Sequence, residues 1–243
     1  MFPLVHIYAA TQVAKKKTPL LVIGSVIPDV VWINRSKIPP ENIHDNLDDF
    51  YSYVESKHED MLDLALGMRL HSNKVGADLY SHSYKGGYSY IKGRNIIADL
   101  ANLVETKDSK KISDLSHNFI EASLDLLLYS DRPEILDLYK RSLTNVDFDK
   151  ISALFGEYTG VEKKFLLQNI QLLFNVIKPE NLVSENSFAN IVLPKMIEIG
   201  FNQKVDKAEV LKILQKSVKI TRSDYKDLLI NTISMMQRDF SKV

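Results

Sequence analysis

The chain contains no cysteine. Thiolate zinc sites, thiol nucleophiles and disulfides are excluded together, so any metal must be held by histidine, aspartate or glutamate. Glycine and proline are scarce as well, nine and eight in 243 residues, against a usual joint share of about 12%. Most of them stand where helical patterns stop, which predicts an all-α protein, a multi-helix bundle. An excess of either charge is missing: 31 basic groups face 31 acidic ones, and the balance holds in residues 1–121 and 122–243 alike. Without a basic region to release counterions from a phosphate backbone, strong nucleic-acid binding is not expected. Long apolar runs are lacking too. The longest, Leu20 to Ile33, contains Gly24, Ser25, Pro28 and Asp29 and is too short to span a bilayer, so no transmembrane segment is expected. The start, Met1-Phe2-Pro3-Leu4-Val5-His6, has no basic n-region of a secretory signal, and the expectation is a cytoplasmic protein.

What is present is an ordinary globular composition, 45% apolar and 26% charged. No repeat or linker divides it, so residues 1–243 read as one helical domain, with 129–243 completing the core. Residues 204–219 place Val205, Ala208, Leu211, Leu214 and Val218 on one stripe, the 3.6-residue period of an amphipathic helix. Segments 95–104 and 224–236 read the same way. Residues 165–177 are apolar nearly all round, as a central buried helix would be. Pro133, Pro179 and Pro194 suggest helix boundaries. Two segments predict loops: 34–43, with Pro39-Pro40, and 83–94, where Gly86, Gly87 and Gly93 stand among Tyr84, Tyr88, Tyr90, Lys85, Lys92 and Arg94. The second is either a binding loop or a solvated connection.

All six histidines, His6, His44, His58, His71, His82 and His117, fall in the first 117 residues. His117 and Glu121 form an HxxxE pair, and positions i and i+4 lie one above the other on a helix. That offers one nitrogen and one oxygen to a single ion, and Asp125 extends the stripe by another turn. On one helix running through Gly76, His71, Asp78 and His82 would share a face to within about 20° of His71. Leu64, Leu66, Met68 and Leu70 imply that this region is core, where such a set needs a metal or a dense hydrogen-bond network. Asp29 is the one carboxylate in an otherwise apolar run, and a carboxylate so placed needs a partner. His6 sits among Leu4, Val5, Ile7 and Tyr8, and His44 follows Asp29 by fifteen residues. His58, on Glu55-Ser-Lys-His58-Glu-Asp, reads as a surface residue.

An early histidine, an apolar G-x-x-x-P-D segment, a histidine fifteen residues beyond the aspartate, a His/Asp/His cluster and a final HxxxE follow one another in residues 1–128. This order resembles the zinc-dependent phospholipase C and single-strand nuclease superfamily, all-helical enzymes with three zinc ions, and within it the short phospholipase C-like proteins. The resemblance implies that Asp29, His44, His71 and Asp78 hold one zinc. Asp78 would bridge to a second, which takes His6 and the amino and carbonyl groups of Met1. His82, His117 and Glu121 would hold the third. Asp29 would be the general base for a zinc-activated water, and the reaction would be hydrolysis of a phosphodiester or phosphomonoester, with a phospholipid head group as the expected substrate. Tyr84, Lys85, Tyr88 and Arg94 would bind that substrate. The middle cluster departs from the family, whose pattern is H-x3-D followed by a histidine about six residues later; here seven residues separate His71 from Asp78, and four separate Asp78 from His82. Asn73 or Lys74 could then occupy the usual histidine place.

Two other readings compete. His44-Asp45 is an HD doublet that, with His71 and Asp78, would suit an HD-type metal phosphohydrolase, although this leaves HxxxE unused. A non-catalytic metal-binding helical module is the other. Metal content separates the three: about three ions, one or two, and at most one.

Overall fold

The computed structural model describes residues 3–33, 38–45, 47–81, 86–103, 108–198 and 205–240, and the side chains among them outside 192–198. It is all-helical, with no strand among the described residues. Among the described residues, fourteen α-helices run in chain order: α1 (Pro3–Ala14), α2 (Pro19–Gly24), α3 (Leu47–Lys57), α4 (Leu62–His71), α5 (Ala77–Ser81), α6 (Tyr88–Gly93), α7 (Ile97–Leu103), α8 (Ser109–Asp131), α9 (Glu134–Thr144), α10 (Phe148–Thr159), α11 (Lys163–Val176), α12 (Glu185–Glu198), α13 (Lys207–Thr221) and α14 (Tyr225–Phe240). Caps fall where short oxygen side chains allow them. Asp108, Asp147 and Asp206 accept first-turn N–H bonds of α8, α10 and α13, and Thr18 caps α2. Gly160, at φ 74°, closes α10 in the left-handed conformation that glycine adopts without strain. As expected, α8 stops and α9 starts at Arg132-Pro133.

The largest core joins both halves of the sequence. Leu4 and Ile7 of α1, Val22 and Ile23 of α2, and Leu64 and Met68 of α4 pack in one cluster with Tyr139, Phe155, Leu166 and Ile170. A second cluster lies between α7, α8 and α13, built on Leu100, Phe119 and Leu214. Helices α2 and α4 meet backbone to backbone. A Cβ on Gly67 would lie 2.3 Å from the Leu21 carbonyl oxygen, and one on Gly24 2.2 Å from that of Leu64. This approach sets the end of α4 against the turn that follows α2.

Several expectations need correction. No single helix runs through Gly76: α4 ends at His71, and residues 72–76 form a turn in which Ser72 Oγ accepts from Val75 N–H and the Ser72 carbonyl from Gly76 N–H. Segment 83–94 is not a loop throughout. Helix α6 begins at Tyr88, and Gly93 lets it lie against α8, where a Cβ would come 2.7 Å from Ser116 Oγ. The expected loop 34–43 ends inside a π-helical turn, Glu41–Asp45. Helix α11 is one-sided, with Leu172 about half exposed while Leu166, Ile170 and Leu173 are buried. The buried stripe of α13 is Val210, Ile213, Leu214, Ser217 and Val218, and Ala208 faces out. Pro194 falls inside α12 rather than at its end.

Candidate metal centre

Five short segments deliver polar side chains to one buried place. His6 comes from the first turns of α1 and Asp29 from a 3₁₀ turn (Ile27–Trp32) opened by Pro28. His44 lies on the π-helical turn, His71 is the last residue of α4, and Asp78 stands in the first turn of α5. His71 and Asp78 are fully buried, and Asp29, His44 and His6 nearly so. The turn at 72–76 absorbs the seven-residue separation: His71 Nε2 is 3.3 Å from Asp78 Oδ2. Asp78 touches all three imidazoles, since Oδ2 also lies 3.6 Å from His44 Nε2, and Oδ1 lies 3.3 Å from His6 Nε2. Asp29 Oδ1 is 4.0 Å from His71 Nε2. The rings pack together, His6 stacked on His71 at 4.3 Å and His44 edge-on to it at 5.3 Å. Partly exposed Trp32 meets His44 edge-on at 5.4 Å.

Two overlapping sets result: His6, His71 and Asp78, and Asp29, His44 and His71. In each, the candidate ligand atoms lie within 4.8 Å of one another, so each set can hold a metal ion. The tautomers suit this. His71 Nδ1 donates to the Ser25 carbonyl at 3.0 Å and His44 Nδ1 to Asp45 Oδ1 at 2.9 Å, turning both Nε2 lone pairs inward. A histidine held through one nitrogen by a carbonyl or carboxylate is the usual arrangement of a metal-ligating imidazole. His6 Nδ1 is buried and makes no hydrogen bond, and buried His71 Nε2 meets the Asp78 carboxylate at 3.3 Å without well-formed hydrogen-bond geometry. Such atoms cost free energy in an apolar core unless something satisfies them. The group therefore fits a divalent cation. Burial, and then neighbouring His71, lower the His6 pKa to about 3, so this imidazole is neutral and ready to ligate at neutral pH. For His71, burial acts downward, but the Asp78 and Asp29 carboxylates outweigh it and raise the pKa.

His117 and Glu121 lie one turn apart on α8, as expected. Glu121 is buried and accepts from Ser81 Oγ at 2.8 Å, and Tyr90 stacks on the His117 ring at 4.6 Å. Met1, His82, Tyr84 and Lys85 lie outside the described residues. Tyr88 donates to Asp224 at 2.6 Å, and Arg94 is exposed at a 3₁₀ turn; neither makes a hydrogen bond, ion pair or ring contact with the His/Asp cluster. His58 pairs with Glu157 on α10, apart from the centre. Asn73 and Lys74 face out, and Lys74 lies 3.9 Å from Asp48, so neither takes the place of His71. Sequence reasoning missed Ser25 and Trp32, and read Asp45 as half of an HD doublet rather than as the partner of His44 Nδ1. Only Asp45, adjacent to His44, carried a signal, because a backbone carbonyl leaves no mark in a sequence.

No protein-family model, curated protein or solved structure matches the chain, so the site has to be read from its own residues. No helix among the described residues is long and apolar enough to cross a membrane.

Proposed function

We propose that the chain is a zinc-dependent phosphoesterase of the phospholipase C-like kind, hydrolysing a phosphodiester or phosphomonoester, with a phospholipid head group as the expected substrate. The observation that carries this reading is the Asp78 carboxylate, buried among three imidazoles, with Asp29 4.0 Å from the most buried of them. Two carboxylates and three imidazole nitrogens suit zinc, which takes histidine and carboxylate ligands in small coordination numbers. When bound, zinc supplies Lewis acidity towards phosphoryl oxygens and lowers the pKa of water towards neutrality. Asp78 sets the spacing of the centre, since its two oxygens face different histidines. His44 and His71 hold their nitrogens inward through Asp45 and Ser25. In this reading Asp29 accepts a proton from a water at the centre, and partly exposed Trp32 stands edge-on to His44. Asp45 bonds the outer nitrogen of His44 instead of turning inward, which weighs against an HD-type centre, where both residues of the doublet ligate.

The test is metal analysis of protein purified without chelator, with assay on bis(p-nitrophenyl) phosphate and on phosphatidylcholine. Zinc in stoichiometric amounts and turnover abolished by chelator and restored by zinc are expected. Asp29→Asn should retain most of the metal and lose about 10²–10⁴-fold in rate, the usual worth of a general base. Protein without metal, or turnover indifferent to chelation, would refute the reading.

A further inference from the structure

Helix α8 presents three acid–base residues at successive four-residue steps, each displaced by about 40° around the axis. His117 and Glu121 are accounted for above; Asp125 is not. The residue is 2% exposed, and among the described residues it does not join the His/Asp cluster. It reaches across to α1 instead. Oδ2 accepts from Leu4 N–H at 3.1 Å and Oδ1 from Val5 N–H at 2.9 Å. These are first-turn donors of α1, which no intrahelical carbonyl can satisfy. Neither Met1 nor Phe2 has a side-chain oxygen to cap them. A residue some 120 positions away performs the capping, with both oxygens, at the helix end that carries His6 one residue further on.

We propose that Asp125 is a positioning residue for the metal centre, fixing the first turn of α1 so that His6 meets Asp78. The proposal rests on the metal-binding reading given above. Three observations bear on it together. The bonds grip residues 4 and 5, next to the ligand at 6. His6 Nε2 lies 3.3 Å from Asp78 Oδ1, a contact that a small rotation of α1 would open. Leu4 is fully buried in the core shared by α1 and α8, so the turn and its cap move as one body. Because α8 also carries His117 and Glu121, one helix would hold one ligand pair directly and align a ligand of the other centre at a distance.

The experiment measures zinc and cobalt(II) binding to the full chain by equilibrium dialysis, with the visible absorption of bound cobalt as a second readout. It compares the parent, Asp125→Asn, His6→Ala and the double variant. Asparagine keeps the shape but offers one acceptor where two are needed, and its NH2 group faces the other backbone N–H. Asp125→Asn should weaken one ion by about 10–100-fold, the usual effect of losing a residue that orients a ligand, and leave the other ions unchanged. In a background of His6→Ala it should cost nothing further, because its effect passes through His6. A parent that binds no metal would refute the metal centre itself. A parent that binds, with an Asn variant of equal affinity, would overturn the role of Asp125 alone. So would an additional loss in the double variant, or a metal-free Asn variant that has lost the parent's helicity and melting transition, since Asp125 would then serve folding only.

Discussion

His6 and His71 are stacked 4.3 Å apart, yet the balance of burial against nearby carboxylates falls oppositely for the two. His6, lowered from 6.5 to about 3 chiefly by burial, prefers to be neutral in the folded chain. Between those values the unfolded chain binds the extra proton, so the contribution of His6 is present above about pH 6.5 and lost as pH falls. His71 is raised from 6.5: burial acts against this, but Asp78 and Asp29 prevail. Its contribution is complete below about pH 6.5 and lost as pH rises through the raised value. In the metal-free protein the pair therefore favours a stability maximum near pH 6.5. Bound zinc replaces the proton on His71, so the alkaline loss should vanish on loading. Melting temperatures of chelated and zinc-loaded protein, measured between about pH 5 and pH 9, check this. The chelated parent should lose stability from pH 6.5 to 8.5, and His71→Gln should lose less. A loss as large in His71→Gln as in the parent would show that the alkaline limb comes from other groups.

At the level of elements, the close approach of α2 and α4 is the feature that builds the site. Gly67 lies where a Cβ would meet the Leu21 carbonyl at 2.3 Å and the Ser25 N at 2.8 Å, and both are backbone atoms that cannot swing aside. Alanine would gain up to about 1 kcal/mol in helix propensity, but forcing the two helices apart costs about 1–3 kcal/mol. Overpacking should win, and Gly67→Ala should unfold at lower urea. It should also weaken metal binding, since the Ser25 carbonyl orients His71. Unchanged midpoint and metal affinity would contradict the contact. The helical class and the boundary between α8 and α9 at Pro133 were legible, because helix breakers act locally. So were the residue types of the centre, since His6 and Asp29 stand out in apolar runs. The turn at 72–76 was not. A face calculation that carries one helix through Gly76 brings His71 near Asp78 for the wrong reason, because their meeting depends on a chain reversal that Ser72 closes with its own hydroxyl. The outward face of Leu172 was hidden too, because one exposed leucine looks the same in a sequence as a buried one.

Across the molecule, the segments that bring the candidate ligands together come from the first half of the chain, but the core beneath them does not. Residues of α1, α2 and α4 share one apolar cluster with α9, α10 and α11, so the second half is part of the support for the centre. Helix α9 packs directly on α2 and α1, and α11 packs on the 3₁₀ turn that carries Asp29. If the core is shared in this way, the metal cannot stabilise residues 1–128 alone. Chelation should move one cooperative transition for the whole helical signal. At free zinc a hundred-fold above its Kd, each ion contributes about 2.7 kcal/mol. For a chain of this size that is a rise of about 5–10 °C in Tm. Far-ultraviolet circular dichroism during heating, with chelator and with zinc, tests the claim. A single midpoint that shifts as a unit is expected, since unfolding α1 or α4 would uncover apolar surface on α9 and α11 at the same moment. A chelated protein that melts in two steps, with α9–α14 outlasting the rest, would show instead that the two halves are separable and that the shared core does not couple them.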